Sequence, residues 1–158
     1  MKRLLSYAAV MVFILVAASQ IMAQSNPALG AWKMDVAKSK FSGDAPKELT
    51  RTLEADGDSV KYIYEGKSAD GSAISYSFTV KYDGKDYPVT GNMPGGADMI
   101  SIKKINAHTY EAYQKKDGKT IGTAMVSVAK DGKTTTVAVT GKDASGKAMS
   151  YTSVYDKQ

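Results

Sequence analysis

Apolar and polar residues alternate with a period of two over most of the chain after Leu29, a pattern typical of β-strands that bury one face. The longest apolar stripe comprises Ile74, Tyr76, Phe78, Val80 and Tyr82, and small or polar residues lie between them. Shorter stripes of the same kind are Trp32-Met34-Val36, Leu49-Arg51-Leu53-Ala55, Val60-Tyr62-Tyr64 and Ile100-Ile102. No segment after residue 23 has a helical period, so the pattern predicts a nearly helix-free domain.

Five Asp-Gly pairs lie between the stripes at near-regular intervals: Asp56-Gly57, Asp70-Gly71, Asp83-Gly84, Asp117-Gly118 and Asp131-Gly132. Asp-Gly favours tight hairpin turns, because Gly adopts positive φ without a steric clash and Asp tolerates it. We therefore expect each pair to reverse the chain. Since a long antiparallel sheet curls or closes to remove its edges, we predict an all-β fold, an antiparallel up-and-down meander closed into a β-barrel of about 8–10 strands.

The first residues have the features of a secretory signal peptide. Lys2 and Arg3 precede an apolar run over residues 4–18. A membrane-spanning helix needs about 20 apolar residues, and this run is shorter. We predict a signal-peptide helix at residues 1–23 and a β-barrel domain at residues 24–158. We expect this domain to be exported, periplasmic or secreted, without stable membrane insertion after cleavage.

Composition narrows the possible partners. The chain has no cysteine, which excludes a disulfide framework and a lipid-modified cysteine. Loss of Lys2 and Arg3 with the signal peptide lowers the formal net charge from +5 to +3. The lysines are scattered over turns and polar strand faces and are not interleaved with aromatic residues, which argues against a nucleic-acid partner. We expect a monomer without a cofactor.

Two motifs stand at the ends of the predicted barrel: Gly30-Ala31-Trp32 in the first strand and Thr152–Lys157 in the last. The first resembles the Gly-x-Trp of lipocalins and fatty-acid-binding proteins, together the calycin barrels, and the second resembles the closing strand of fatty-acid-binding proteins. Residues Gly30–Phe41 and Tyr82–Gly91 are similar to a group of small exported bacterial lipocalin-like proteins. The resemblance implies a barrel that holds a ligand, with Trp32 across one end.

The sequence departs from the fatty-acid-binding proteins at two places. In those proteins an Arg and a Tyr of the last strand hold the ligand carboxylate; Tyr155 matches the Tyr, but Ser153 stands at the Arg position. Residues 37–48 are also too few and too loop-like for the two helices that close their barrel. We therefore do not expect this chain to capture a carboxylate in the manner of that family.

Arg51 is the only arginine after residue 23, and it shares an apolar stripe with Leu49 and Leu53. An inward guanidinium could hold an anionic headgroup through two hydrogen bonds. Alternatively, Arg51 lies near the closed end of the barrel and stacks on Trp32 or pairs with an acid. We favour the second interpretation, because buried charges are usually paired within the protein.

Tyrosines recur on the predicted inner faces, and each offers an apolar ring and a hydroxyl suited to an amphipathic or aromatic ligand. Tyrosine also fills small barrels, so we expect about two or three of them to line a pocket and the others to pack in the core. The candidate ligand-binding residues are Arg51, Tyr62, Tyr64, Tyr76, Phe78, Tyr110, Tyr151 and Tyr155.

No metal site and no catalytic residue are predicted. His108 is the only histidine, falls in a predicted turn, and has no second His or Cys to complete a metal site. Asp56-Gly57-Asp58 begins like a calcium loop, but the later ligands of an EF-hand are absent.

Three functions fit these features. The leading one is a non-catalytic exported barrel that binds a small hydrophobic or amphipathic ligand. The second is an enzyme on the same barrel, in which a Tyr, Arg51 and a carboxylate such as Glu65 or Glu111 perform acid–base chemistry. The third is a structural or inhibitory surface protein with a filled barrel. A cavity would argue against the third, whereas a carboxylate with a raised pKa beside Arg51 or a Tyr would favour the enzyme.

Overall fold

The computed structural model of the protein describes residues 26–142 and 145–158, so the predicted signal peptide lies outside the described residues. The described chain consists of strands and turns, with one short 3-10 turn at Pro94–Gly96. The strands are β1 (Gly30–Phe41), β2 (Glu48–Asp56), β3 (Ser59–Lys67), β4 (Ala73–Val80), β5 (Asp83–Pro88), β6 (Thr90–Gly91), β7 (Met99–Asn106), β8 (Thr109–Lys116), β9 (Lys119–Val128), β10 (Thr134–Lys142) and β11 (Ala148–Lys157). Across the described ranges, no helix is long and apolar enough to cross a bilayer.

All eleven strands belong to one sheet with the order β5-β7-β8-β9-β10-β11-β1-β2-β3-β4-β6. Strand β1 pairs with both β2 and β11, so the sheet curls until its first long strand meets its last. The result is a nearly closed antiparallel barrel whose remaining seam lies beside β4 and β5. The predicted all-β antiparallel meander is confirmed, with eleven strands instead of about 8–10.

Four of the five Asp-Gly pairs lie in hairpin turns between paired strands, whereas Asp83-Gly84 does not form a hairpin with β4. This pair begins β5, and β5 pairs with β7 instead of returning along β4. The Asp83 carboxylate accepts hydrogen bonds from the Lys85 backbone N–H at 3.0 Å and the Tyr87 hydroxyl at 3.0 Å. These bonds hold a local turn that leads the chain across the barrel seam.

Strand β1 contains a bulge that changes which side chains point inward. Its register with β11 shifts between Asp35 and Lys40. The Ser39 hydroxyl donates to the Asp35 carbonyl at 2.6 Å and accepts the Val154 N–H at 2.9 Å, so it bridges the irregular stretch. Val36, which the alternation assigned to the buried face, is therefore 39% exposed.

Gly66 marks a place where β3 passes very close to β2. A Cβ at this position would lie 2.2 Å from the Glu48 carbonyl oxygen and 2.9 Å from the Leu49 Cα. Only glycine fits such an approach, and glycines of this kind allow a sheet to bend into a barrel.

Trp32 seals one end of the barrel, as predicted. It is 0% exposed, and its indole Nε1 donates to the Ala28 carbonyl at 2.8 Å. Next to it, Asn26 accepts a hydrogen bond from the Tyr110 hydroxyl at 3.1 Å and donates to the Tyr82 hydroxyl at 3.4 Å. Residues 26–29, directly before β1, are therefore tied to the far side of the sheet.

Candidate functional site: an internal cavity

The barrel contains a cavity of about 280 Å³. It begins beside Arg51 and extends to the end opposite Trp32, where Asp44 and Pro46 of the β1–β2 connection and Ser68 of the β3–β4 turn border it. Small-molecule sites range from about 300 to 1,000 Å³, so this cavity lies just below that range and suits a small ligand. The inward faces of the strands supply an apolar wall, because alternation places every second side chain inside.

All eight candidate residues line this cavity. They are Arg51, Tyr62, Tyr64, Tyr76, Phe78, Tyr110, Tyr151 and Tyr155. The expectation that most of the tyrosines only fill the core is too restrictive, since the barrel is wide enough to leave space between them. Whether these residues bind a ligand stays a prediction.

Sequence reasoning missed several lining residues, among them Leu49, Ile100, Val139 and Gln114. The signal was present, because Gln114 lies two residues beyond Ala112 and four beyond Tyr110 on one strand face. A glutamine at the end of an apolar stripe is nevertheless typical of the edge of a core, so its polarity obscured this signal.

Aromatic side chains form one wall of the cavity. Tyr62 is opposite Phe78 and Tyr64 is opposite Tyr76 in the β3–β4 pairing. The ring centroids of these two pairs are 4.8 Å and 4.5 Å apart, with the rings nearly parallel. Cross-strand register thus builds a continuous stacked surface that suits a flat or apolar ligand.

Arg51 lies at the inner end of the cavity and is only 1% exposed. Its guanidinium carbon is 5.5 Å from the Trp32 ring centroid and 4.7 Å from that of Tyr155. The predicted stacking on Trp32 is therefore present. The alternative partner, an acid, is not found within the described ranges, where the ion pairs all involve lysines.

Two guanidinium nitrogens of Arg51, Nε and Nη2, are buried without a hydrogen-bond partner. The Oε1 atom of Gln114 is also buried and unpartnered. Gly122 faces Gln114 across β8 and β9, and a Cβ there would lie 2.7 Å from that oxygen. Glycine at this position therefore leaves room for an inward amide. Arg51 and Gln114 both line the cavity, and each has buried polar atoms without a partner in the protein.

The tyrosine hydroxyls around Arg51 remain protonated. Burial raises the pKa of Tyr62, Tyr76 and Tyr155, and the nearby positive charge of Arg51 only partly opposes this rise. Burial likewise raises the pKa of Tyr151 to about 12. These phenols are neutral at physiological pH, so they add hydrogen-bonding capacity without compensating the charge of Arg51.

The carboxylates proposed for the enzyme alternative do not reach this site. Glu65 is exposed on the outer face of β3, and Glu111 is half-buried on the outer face of β8. Within the described part of the chain, no group of three His, Cys, Asp or Glu side chains is placed to hold a metal ion. His108 lies half-buried in the β7–β8 turn, where its backbone N–H donates a hydrogen bond to Asn106 Oδ1 at 2.9 Å.

No protein-family model matches the sequence, and no curated protein matches it. The structure of EF1p2_mFAP2b bound to DFHBI is similar, with a TM-score of 0.53 at 9% identity over 84% of this chain and 94% of that one. The S-type phycobiliprotein lyase CPES from Guillardia theta has a TM-score of 0.52 at 13% sequence identity, over 84% of this chain and 89% of that one. Zebrafish ileal bile acid-binding protein in complex with cholic acid has a TM-score of 0.48 at 12% sequence identity, over 84% of this chain and 100% of that one.

The chain has a lipocalin-like, calycin fold. In this calycin barrel the last strand provides Tyr155 but carries Ser153 at the position where fatty-acid-binding proteins have an arginine. The cation that lies over the Tyr155 ring comes instead from Arg51 on β2, two strands away. A positive charge from β2 therefore lies beside Tyr155 of the last strand.

Proposed function

We propose that this protein is a non-catalytic binding barrel for a small hydrophobic or amphipathic molecule. The observation that carries the proposal is the cavity of about 280 Å³ with its stacked aromatic wall. We further propose that it acts outside the cytoplasm, periplasmic or secreted, after removal of residues 1–23, because of the charged start and short apolar run there.

Physical chemistry favours a ligand over an empty interior. A well-packed core leaves few voids larger than a water molecule, and an unfilled cavity costs stability in proportion to its volume. The cost is acceptable where a ligand fills the space, and the barrel of EF1p2_mFAP2b, which is similar in fold, has DFHBI bound. The cavity also argues against the filled structural barrel.

The enzyme alternative receives less support. Acid–base catalysis needs a titratable group within hydrogen-bond reach of the reacting atoms. The named carboxylates, Glu65 and Glu111, lie outside the cavity, and the acid that borders it, Asp44, is at the mouth.

A neutral fluorescent probe such as N-phenyl-1-naphthylamine tests the binding function. Ala124 faces the cavity and its neighbour Met125 points outward with 42% exposure, so the two positions form a matched pair. Ala124→Phe should weaken probe binding by on the order of tenfold or more, because the new ring occupies the ligand volume. Met125→Phe should leave it unchanged. A wild-type protein that binds no probe and carries no small molecule in native mass spectrometry would contradict the proposal.

A further inference from the structure

We propose that the natural ligand carries a carboxylate and that Arg51 binds this group at the inner end of the cavity. The inference rests on the proposed binding function and narrows its ligand class. It assigns to Arg51 a role that the stacking on Trp32 alone does not require.

No acid among the residues that the structure describes compensates the charge of Arg51. A guanidinium stays protonated in proteins, and a fully buried cation is normally paired or neutralised. Arg51 is 1% exposed, and its buried Nε and Nη2 atoms have no hydrogen-bond partner. Stacking of a desolvated cation on aromatic rings stabilises the protein by about 2 kcal/mol or more, whereas removal of the ion from water costs several kcal/mol. An anion from outside the chain would supply the missing partner.

The two free donors have the geometry that a carboxylate requires. Nε and Nη2 project their N–H groups from the same edge of the planar guanidinium, parallel to each other. A carboxylate accepts such a pair through both oxygens, which gives two charge-assisted hydrogen bonds and a fixed orientation. Trp32 and Tyr155 fix the plane of the guanidinium from their rings, so the edge is already oriented before a ligand arrives.

The rest of the cavity defines the body of the ligand. Neutral Tyr76 and Tyr155 line the space around Arg51 and introduce no competing negative charge. Farther along, the stacked Tyr64 and Tyr76 rings suit an aromatic or other flat apolar group. The buried, unpartnered Gln114 Oε1 offers one acceptor for a hydroxyl or N–H on that body. The ligand class is thus a small apolar, preferably aromatic, carboxylic acid.

The isosteric probes 2-naphthoate and 2-naphthamide separate the charge from the shape. Calorimetry on the exported protein should show that naphthoate binds more tightly by on the order of tenfold to a hundredfold, the effect of hydrogen bonds to a charged group. Arg51→Met should abolish this preference and leave naphthamide binding within about threefold. Lys157→Met is the matched control, because its ammonium also lies over the Trp32 ring, at 5.1 Å, but at the surface. This control should retain the preference.

The outcomes distinguish the two proposals. If neither probe binds wild type, the binding function itself fails and this inference fails with it. Equal binding of both probes, or a preference that persists in Arg51→Met, overturns the role of Arg51 and leaves the binding function standing. Should Arg51→Met not fold, the Arg51 Nε–H resonance of wild type decides: it should shift downfield with naphthoate and not with naphthamide. An unmoved resonance at saturation would refute the inference.

Discussion

Trp32 and Arg51 are direct cross-strand neighbours in the β1–β2 pairing, and the guanidinium carbon lies 5.5 Å from the centroid of the indole ring. Trp32 closes one end of the barrel, and Arg51 lies at the inner end of the cavity. The pairing therefore places a fully buried aromatic side chain directly beside the buried positive charge of Arg51. Changes at these two positions should have opposite effects on stability.

Replacement of Arg51 by methionine should stabilise the unliganded protein by about 1 kcal/mol or more, because exchanging a buried charge for an apolar side chain of similar length is often neutral or stabilising by about 1–4 kcal/mol. Equilibrium urea unfolding of wild type and Arg51→Met measures the change. Lower stability of the variant would mean that the cation–π contacts with Trp32 and Tyr155 outweigh the desolvation of the charge.

Replacement of Trp32 by alanine should cost about 3–5 kcal/mol, the usual range for a large aromatic side chain in a core. The change removes a fully buried ring and its 2.8 Å hydrogen bond to Ala28. This loss is a large part of the total stability of a small domain, so the variant should unfold or be severely weakened. His108→Ala, in a turn that does not line the cavity, should keep the wild-type melting temperature and ligand binding. A mild effect at Trp32 would show that the indole does not anchor the barrel.

Gly66→Ala should destabilise strongly, because its Cβ would lie 2.2 Å from a backbone oxygen that cannot move without shifting β2. Gly43 provides the control, since a Cβ there meets nothing within 4 Å. We expect Gly43→Ala to change the free energy of unfolding by less than about 1 kcal/mol. Equal effects in the two variants, measured by thermal and urea unfolding, would contradict the close approach of β3 to β2.

Local pattern was sufficient to predict most of the inward faces and eight of the residues that line the cavity. Ile74, Tyr76, Phe78 and Val80 lie inside or half-buried as their alternation indicates, and Arg51 follows the face of Leu49 and Leu53. Side-chain direction in a strand has a period of two, so it can be derived from neighbouring residues alone.

Features that depend on distant residues were not predictable. Asp83-Gly84 has the same two residues as the hairpin pairs, yet β5 pairs with β7, a strand that begins eleven residues after β5 ends. Lys85 and Tyr87 hold the local turn at Asp83, but the choice of strand partner depends on the more distant β7. The bulge in β1 depends on Ser39 meeting Val154, more than a hundred residues away. The lack of an acidic partner for Arg51 within residues 26–142 and 145–158 likewise depends on where the acids of these ranges lie in three dimensions.

Alkaline pH should unfold the protein through its buried tyrosines. Burial raises the pKa of Tyr110 and Tyr151 to about 12, against an ordinary value of 10.0. Below pH 10 both states hold the phenolic protons, and the stability from burial is fully present. Between pH 10 and 12 the unfolded chain releases protons that the folded chain retains, so stability falls as pH rises.

Urea unfolding at a series of alkaline pH values measures this loss, and ultraviolet absorbance of tyrosinate distinguishes it from deprotonation of surface lysines. Tyr151→Phe should reduce the pH dependence by about one proton, because it removes one of the groups whose ionisation differs between the two states. In the folded protein, part of the tyrosinate absorbance should develop only as the barrel unfolds, whereas in urea all tyrosines should titrate near the ordinary pKa. Complete titration of the folded protein near pH 10 would show that water reaches these hydroxyls and that the cavity is open around them.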